Sequence, residues 1–401
     1  MVDYKLQFRE LTKGLLHLEK PEELEERLFN SCSSGKPLIV KLGADPTAES
    51  LHIGHMIPVH VLKRFQDFGH DTVMIFGDAT ARIGDPTGNL DKRQVITPEQ
   101  VNAYMKNYKN QIFKVLDPEK TRIEHNSKWL NGMDHLMFLT NIYSKVSINQ
   151  LLQRDDFKER YEKNISIVFS ELAYPILQAY DSVALVADIE IGGNDQLFNF
   201  MFTRDFQRRF FQKPEVIMTF PTILGLDGVE KMSKSKGNTI NVSDSAFDMY
   251  HKTMSIDDKT MINWYPIISS LGVDCIDDVV YGKVDPMEAK KQLAFDITSS
   301  YYGADHARQV EKRFELQYQN RGIPNELPQY HVRPGLLTEM IVETGLFDSK
   351  SHVRRLIQQN AIKLGEELVS DIYRTLGPGR YSIRIGKKIG YIELLVEDKN
   401  N

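Results

Sequence analysis

Two short apolar segments flank an amphipathic one near the start of the chain, and this arrangement restricts the fold more than any other feature. Residues 37–42 and 72–77 are apolar runs of strand length, whereas residues 56–68 carry apolar side chains at helical spacing and stop at Gly69. A strand, a helix and a second strand in this order form a βαβ unit, which requires a parallel sheet. We therefore predict an α/β fold, with a Rossmann-like parallel-sheet catalytic domain over residues 1–240.

The turn between the first strand and its helix contains two histidines, in the order His52-Ile-Gly-His55. The free N–H groups and the dipole of a helix N-terminus favour anions, and side chains three residues apart share one face of its first turn. Gly54 would let a ligand approach the backbone. This pattern suggests a cradle for a triphosphate. A cap, a surface group or a metal site are the alternatives, although no third ligand follows at a suitable spacing for a metal.

A second motif, Lys231-Met-Ser-Lys-Ser-Lys-Gly237, lies about one domain downstream. Lysines packed among small hydroxyl side chains and closed by a glycine suit a mobile loop that contacts phosphates. Alone, such a turn is more often a solvated loop. The two motifs together resemble the HIGH and KMSKS signatures of the class I aminoacyl-tRNA synthetases. A His-x-Gly-His segment by itself also occurs in other nucleotidyltransferases and indicates only nucleotide chemistry.

A polar stripe crosses the predicted helix 171–182, where Tyr174, Gln178 and Asp181 are spaced to lie on one face. Such a stripe is usually a solvated surface, but apolar neighbours on both sides indicate partial burial here. A buried carboxylate needs a partner, and the phenolic hydroxyl of a substrate would supply one.

Two glycine-containing segments follow predicted strands and are expected at the edge of the sheet where open α/β folds bind ligands. In the segment 189–196, Gly193 allows close approach of a ligand and Asp195 could accept hydrogen bonds from ribose hydroxyls. The segment Asp85-Pro-Thr-Gly88 follows the second strand, and a plain surface turn explains it equally well.

Taken together, these segments resemble the tyrosyl-tRNA synthetases of bacterial type along nearly the whole chain. The stripe matches the family's Tyr-x-x-x-Gln-x-x-Asp substrate helix, residues 192–196 match its Gly-Gly-x-Asp-Gln segment, and Asp85 matches an aspartate near the substrate ammonium. The chain departs from the family at Lys41, where many members have a tyrosine that donates to the substrate phenol. Leu42 likewise replaces a more usual small polar residue.

The resemblance implies a tyrosine–tRNA ligase, which forms tyrosyl-adenylate from tyrosine and ATP and then transfers the tyrosyl group to the 3′-terminal ribose of tRNA(Tyr). It implies ATP with Mg²⁺ as a substrate complex, no tightly bound cofactor and no metal held by protein ligands. The catalytic residues carried over are Thr47, His52, His55, Lys231 and Lys234. The ATP-binding residues carried over are Asp45, Gly54, Gly193, Asp195, Met232 and Ser233. The tyrosine-binding residues carried over are Lys41, Asp85, Tyr174, Gln178, Asp181 and Gln196.

The remaining segments are assigned mainly by position. A helical insertion at about residues 97–163 separates the two halves of the sheet, and in synthetases of this kind it often forms the dimer interface, so we expect a homodimer. Residues 241–321 are predicted to form a helical anticodon-binding domain, and residues 322–328 a linker. Residues 334–401 resemble a small α+β RNA-binding domain of the S4 type, with a basic skew. Its predicted tRNA-binding residues are Lys350, Arg354 and Arg355.

Composition excludes several other classes of protein. The net charge of −5 means that a nucleic acid would have to be held by local basic patches. Cys32 and Cys275 are isolated, which is typical of neither a zinc site nor a disulfide framework. No apolar run approaches the length of a membrane helix, and the N-terminus has no signal-peptide character. We therefore expect a cytoplasmic protein without membrane contact.

Three rival functions are left open by the sequence. A different small-molecule nucleotidyltransferase would share the histidine motif but would not explain the S4-like tail. An RNA-binding protein derived from a synthetase would keep the tail and would be expected to lose the histidines or lysines, which are intact. A tryptophan-specific synthetase is the nearest enzymatic rival, and both the polar stripe and the tail argue against it.

Overall fold

The computed structural model of the protein describes residues 3–86, 96–269, 273–319, 327–365 and 367–397. Within these ranges the chain forms two compact units, Met1–Ala307 and Arg308–Asn401. The predicted linker at residues 322–328 lies outside the described residues except at its last two positions, and so do residues 87 and 88 of the glycine-containing turn.

The first unit is built on a six-stranded sheet in which five strands are parallel, as the βαβ pattern predicts. The short first strand is antiparallel to the sixth and forms one edge. The strand order across the sheet is 1-6-5-2-3-4. The strands are β1 (His17–Leu18), β2 (Ile39–Ala44), β3 (Asp71–Phe76), β4 (Thr121–His125), β5 (Ile189–Gly193) and β6 (Val216–Phe220).

The insertion predicted at about residues 97–163 to be mostly helical is so, but it also contains the strand β4, which was not predicted. That strand pairs in parallel with β3 and forms the second edge of the sheet. Its sequence, Thr-Arg-Ile-Glu-His, has one apolar residue in five, and four of its five side chains are only partly buried. An edge strand needs no continuous apolar run, so its pattern is weak in the sequence.

The order of the strands creates a crevice beside β2. The chain moves outward from β2 through β3 to β4, then returns to the opposite side of β2 for β5 and β6. Open α/β sheets bind ligands at the carboxyl ends of the strands where the order reverses in this way. The reversal here lies between β2 and β5.

Fourteen α-helices of the described chain belong to the first unit, and a fifteenth, α15, spans the boundary between the two units. Asp285 caps the N-terminus of α14, and Gly303 ends the helix. The helices are α1 (Tyr4–Leu11), α2 (Pro21–Ser34), α3 (Ile53–Asp67), α4 (Pro98–Ile112), α5 (Ser127–Leu130), α6 (His135–Met137), α7 (Ile148–Leu151), α8 (Asp155–Glu162), α9 (Phe169–Leu185), α10 (Leu197–Arg209), α11 (Ala246–Met254), α12 (Asp258–Ile268), α13 (Val273–Val280), α14 (Pro286–Tyr302) and α15 (Ala304–Phe314).

Helices α11 to α14 share one hydrophobic core with the sheet. Trp264 of α12 and Leu293 of α14 are fully buried in the same cluster as Val40 of β2 and Phe65 of α3. The indole of Trp264 also donates a hydrogen bond of 3.0 Å to the carbonyl of Leu224, at the end of the sheet. The helical segment is therefore packed against the base of the lysine-rich loop.

The second unit contains a five-stranded sheet of order 10-9-12-13-7, a separate two-stranded sheet, and its own apolar core. Two short helices joined at Gly345 precede most of the strands. Its elements are β7 (Gln329–Val332), β8 (Gly335–Leu336), α16 (Leu337–Glu343), α17 (Lys350–Gln358), β9 (Ile362–Leu364), β10 (Glu367–Leu368), β11 (Thr375–Leu376), β12 (Gly379–Ile385), α18 (Gly386–Ile389) and β13 (Gly390–Val396). Across the described ranges of both units, no helix has the length and apolarity to cross a membrane.

Candidate active site

A cavity of about 560 Å³ opens at the carboxyl ends of β2 and β5, at the reversal in strand order. It brings together nearly all residues predicted from the two motifs and the substrate helix. Ser233 and Lys234 are the exceptions, because they lie in the loop next to Lys231 and Met232 rather than on the wall. The predicted residues that line the cavity are Lys41, Asp45, Thr47, His52, Gly54, His55, Asp85, Tyr174, Gln178, Asp181, Gly193, Asp195, Gln196, Lys231 and Met232.

The two histidines stand at the start of α3, where His52 is the N-cap residue. Their rings stack with centroids 3.6 Å apart, and the Nδ1 atom of His55 accepts a hydrogen bond of 3.3 Å from the backbone N–H of His52. A methyl group added to Gly54 would lie 3.1 Å from the His52 ring. A residue without a side chain at position 54 therefore leaves room for that ring.

Both imidazoles are neutral near pH 7. Burial, helped by the nearby charges of Lys234 and Lys231, lowers the pKa of His52 to about 3 and that of His55 to about 4. Because Nδ1 of the neutral His55 ring acts as an acceptor, its proton is on Nε2, which can donate to an anionic oxygen. The histidine pair is therefore suited to hydrogen-bonding phosphate rather than to acid–base chemistry.

The lysine-rich loop follows β6 and is held by Asn238. The Asn238 side chain accepts a hydrogen bond of 2.8 Å from the backbone N–H of Ser233 and donates one of 2.6 Å to Asp227. A 3₁₀ turn covers Lys234–Lys236, and the Lys234 ammonium donates to the backbone carbonyl of Ser50. Thus one loop lysine lines the cavity and a second is tied to the segment that precedes His52.

Backbone hydrogen bonds join the two motifs directly. The N–H of Ile53 donates to the carbonyl of Ile240 at 3.0 Å, and the N–H of Val242 donates to the carbonyl of Leu51 at 2.9 Å. His52 and Asn241 form the antiparallel bridge between these two bonds. The stretch after the lysine loop therefore runs beside the histidine motif as a short ladder, which fixes the phosphate-binding elements relative to each other.

Asp181 of α9 lies in the floor of the cavity. One of its oxygens accepts a hydrogen bond of 2.8 Å from the indole N–H of Trp129, and the other accepts one of 3.4 Å from the amide of Asn126. Burial raises the pKa of Asp181 to about 7, although these two bonds and the charge of Lys41 favour its ionised form. A substrate hydroxyl would give this carboxylate a further donor.

Asp45 and Tyr174 form a second polar cluster in the same cavity. The Tyr174 hydroxyl donates to Asp45 at 2.9 Å, and the Thr80 hydroxyl donates to its other oxygen at 2.8 Å. Burial raises the pKa of Asp45 to about 7, and the charges of Asp85 and Asp78 raise it further. We assigned Asp45 to the nucleotide from sequence, and the structure places it against a residue of the substrate helix.

A network of amides connects the substrate helix to Asp85. The Asn199 amide donates to Gln178 and to Gln196 at 3.0 Å each, and the Gln196 amide donates to Asp85 at 2.6 Å. These side chains hold one another in place, so Gln178, Gln196 and Asp85 present a fixed set of oxygens to the cavity. Asn199 was not predicted, because an asparagine within a helix carries no sequence signal of this role.

Lys41 is held by residues that sequence reasoning missed. It is the register partner of Glu190 on the neighbouring strand, and its ammonium lies 2.5 Å from a Glu190 oxygen, with both side chains almost fully buried. A charged residue inside each of two apolar runs was the available signal, because buried charges must be paired.

The predicted tRNA-binding residues lie on α17 of the second unit. Arg354 and Arg355 are exposed, and Lys350 lies 2.7 Å from Glu339 of α16 in an exposed ion pair. Val353 and Ile357 form the opposite, buried face of the same helix. The three basic side chains therefore take no part in the apolar core of this unit.

Comparison with known proteins gives the family of the chain. Residues 33–319 match the family of tRNA synthetases class I (W and Y). Curated tyrosine–tRNA ligases are similar over almost the full length. That of Moorella thermoacetica is 40% identical, covering 91% of this chain and 90% of the relative, and that of Geobacter sulfurreducens is 40% identical, covering 94% and 96%. The chain belongs to the class I tRNA synthetases, in the family of tyrosine–tRNA ligases.

Solved structures agree on the fold of this synthetase. A truncated mitochondrial tyrosyl-tRNA synthetase from Aspergillus nidulans superimposes with a TM-score of 0.65 at 22% identity, covering 79% of this chain and 95% of that one. The tyrosyl-tRNA synthetase from Archaeoglobus fulgidus, solved with L-tyrosine, gives a TM-score of 0.60 at 21% identity, covering 77% and 100%. At this identity the likeness concerns the fold alone, and it confirms the predicted α/β architecture.

Proposed function

We propose that this synthetase uses the cavity to join tyrosine to ATP and then passes the tyrosyl group to the 3′-terminal ribose of tRNA(Tyr). The observation that carries the proposal is the meeting of three elements in one space. These are the neutral histidine pair, the lysine loop, and a carboxylate-floored pocket suited to a phenol. The curated relatives are named tyrosine–tRNA ligases, and joining tyrosine to ATP requires groups that bind phosphate and groups that bind a phenol in one site.

In the first step a carboxylate oxygen of tyrosine attacks the α-phosphorus of ATP, and the bond to pyrophosphate breaks. In the second step a ribose hydroxyl of the tRNA attacks the acyl carbon and AMP leaves. Phosphoryl transfer depends mainly on alignment and on neutralising the charge that develops on the leaving phosphates. No protein nucleophile is needed for either step.

The residues at the mouth of the cavity suit this demand. Thr47, His52 and His55 offer neutral donors on one side, and Lys231 and Lys234 bring positive charge from the loop on the other. Mg²⁺ would enter with the nucleotide as part of the substrate, because Mg²⁺ is usually bound through phosphates and a few carboxylates rather than in an all-protein cage. We place the reaction in the cytoplasm, where bacterial tRNA charging takes place.

The proposal predicts that the protein catalyses ATP–pyrophosphate exchange with tyrosine but hardly with tryptophan or phenylalanine. Indole can donate through its N–H but cannot accept a hydrogen bond as a phenol oxygen does, and phenylalanine leaves the Asp181 carboxylate without a ligand partner. The measurement is exchange of labelled pyrophosphate with each amino acid in turn. Exchange driven equally well by tryptophan would contradict the assignment to tyrosine.

For the second unit we propose a role in holding tRNA, supported by the exposed basic residues of α17. Replacing Lys350, Arg354 and Arg355 together with alanine should raise the KM for tRNA about tenfold and weaken its salt dependence, because phosphate contacts release counterions. Pyrophosphate exchange should not change. A charge-matched control replaces three exposed lysines elsewhere, Lys120, Lys213 and Lys283. An equal loss in that control would remove α17 from the interface with tRNA.

We also propose that the synthetase is a homodimer formed through the insertion. Eight large hydrophobic side chains in the insertion and in the few residues that follow it, up to the start of α9, are exposed, which is unusual for a surface that stays in water. They are Leu136, Met137, Leu139, Ile148, Tyr161, Ile165, Val168 and Phe169.

The double variant Leu136→Asp/Ile165→Asp should sediment as a monomer, because it places two carboxylates in the proposed apolar interface. The parent should sediment as a dimer under the same conditions. Phe211→Asp is the control, since Phe211 is 97% exposed and lies outside the insertion. A parent that sediments as a monomer at micromolar concentration would refute the proposal.

A further inference from the structure

A buried ion pair under the cavity is not explained by the fold. Lys41 and Glu190 are register partners on β2 and β5 with side chains 1% and 2% exposed, at an N–O distance of 2.5 Å. Replacing a buried ion pair with apolar residues is often neutral or even stabilising, so stability alone gives little reason to keep one. Both residues line the cavity, which points to a role in binding.

A third acidic residue completes the cluster. Glu215 is fully buried, accepts a hydrogen bond of 3.2 Å from the Ser182 hydroxyl, and lies beside Glu190. One oxygen of Glu190 and one of Glu215 are buried without another hydrogen-bond partner among the described residues. Burial and the adjacent Glu190 raise the pKa of Glu215 well above its usual range. A hydrogen bond from a protonated Glu215 to an ionised Glu190 gives each of these two oxygens a partner.

The cluster leaves Lys41 positively charged. Burial alone would lower the pKa of Lys41, but the nearby carboxylates, above all the adjacent Glu190, raise it above its usual value. Asp181 immediately precedes Ser182 on α9. It lies near enough to Lys41 for the charge of the ammonium to favour the ionised form of the Asp181 carboxylate. A fixed ammonium and a carboxylate therefore share the cavity floor, and a phenol hydroxyl can donate to the carboxylate while its oxygen accepts from the ammonium.

We infer that Lys41 is a specificity-determining residue of the phenol pocket, and that Glu190 and Glu215 are positioning residues that hold its ammonium beside Asp181. This inference rests on the proposed function, since it presumes that the substrate carries a phenol. The cation–carboxylate pair recognises a hydroxyl on an aromatic ring as both donor and acceptor. Phenylalanine would leave both groups without the hydrogen bond that the phenol supplies.

The first test compares tyrosine and phenylalanine in pyrophosphate exchange. Lys41→Met should lower kcat/KM for tyrosine about 10- to 100-fold, the range for losing a hydrogen bond to a charged group, and should change the value for phenylalanine little. Arg160→Met is the matched control, because Arg160 is the cation of another largely buried ion pair, lies 2.9 Å from Glu171, and does not line the cavity. The control should keep the parent's ratio of tyrosine to phenylalanine.

The second test asks whether Glu190 acts through Lys41. Glu190→Gln should lower kcat/KM for tyrosine in the parent but add almost nothing in the Lys41→Met background, because a positioning residue has no effect once its target is gone. If Glu190→Gln alone does not fold, as thermal unfolding would reveal, Lys41→Met/Glu190→Gln removes both charges and should match Lys41→Met. A full, additive effect in the Lys41→Met background would overturn the positioning role.

A pH profile supplies a readout that a purely structural role would not change. Asp181 must be ionised to accept the phenol proton, so kcat/KM for tyrosine should fall as the pH drops through about 7. Without the Lys41 cation the ionised form is less favoured, so in Lys41→Met the fall should begin at higher pH. Asp45 also titrates near 7, but it is shifted by burial, Thr80, Tyr174, Asp85 and Asp78 rather than by Lys41.

The outcomes separate the inference from the function on which it rests. A parent that fails to exchange pyrophosphate with tyrosine refutes the proposed function. An active parent whose Lys41→Met variant keeps both the amino-acid ratio and the pH profile refutes the inference alone.

Discussion

Asp181→Ala is expected to lower kcat/KM for tyrosine by at least about 10³-fold while leaving phenylalanine almost unchanged. A site built to hydrogen-bond a substrate hydroxyl rejects the analogue without it because the polar groups of the site are then stranded. Tyrosyl-tRNA synthetases are themselves the reference example of this effect, with discrimination against phenylalanine of about 10⁵. Removing the carboxylate removes a hydrogen bond that only tyrosine can make, so the ratio of the two kcat/KM values should fall. Pyrophosphate exchange with both amino acids measures the ratio.

Glu171→Ala is the matched control for this experiment. Glu171 is a buried acid on the same helix, α9, paired with Arg160 at 2.9 Å, and it does not line the cavity. Its loss should reduce stability and leave the discrimination intact. If Asp181→Ala rejected phenylalanine as strongly as the parent does, the phenol would be recognised elsewhere, and the placement of the substrate helix would be wrong.

Lys234→Ala is expected to slow formation of tyrosyl-adenylate about 10²- to 10³-fold without a comparable change in the Kd for tyrosine. A charged donor that serves the transition state lowers the rate when removed and leaves ground-state affinity nearly the same. Lys234 is bonded to the carbonyl of Ser50 and does not line the cavity, so we expect its ammonium to leave Ser50 when it contacts the phosphates. Single-turnover kinetics and equilibrium dialysis measure the two quantities.

Lys236→Ala provides the comparison within the same turn. The Lys236 ammonium lies 3.0 Å from Glu230 in an exposed ion pair, and exposed pairs contribute little. We expect the adenylation rate of that variant to stay within about threefold of the parent. An adenylation rate that Lys234→Ala does not change would exclude this lysine from the chemistry.

The sequence predicted the elements that leave a strong pattern. The apolar runs that became β2, β3 and β5, the stripe on α9 and the two motifs were all recognisable because each obeys a short-range rule of spacing. β4 was missed because an edge strand needs few apolar residues. The contacts of Asp181 with Trp129 and Asn126 were also beyond the sequence, since these residues meet only after β4 has joined the sheet.

The buried cluster illustrates a different limit. Lys41 was singled out because it departs from a family pattern, yet nothing local indicates which acid pairs with it. Glu190 is about 150 residues away along the chain, and only the parallel register of β2 and β5 brings the two together. Glu215 depends on the same register one strand further across the sheet. Long-range pairings of this kind follow from topology rather than from residue spacing.

The ladder between the histidine motif and residues 240–242 has a consequence for how the protein is made. Ile53 and Leu51 are bonded to a stretch that the ribosome adds almost 190 residues later. At roughly 5–20 residues per second, the histidines wait about ten seconds or more for their partners. The strand–helix–strand unit can form early from local contacts, but the phosphate site closes only through contacts of high sequence separation, which fold slowly. A nascent chain shorter than about 240 residues therefore has the first signature without a working site.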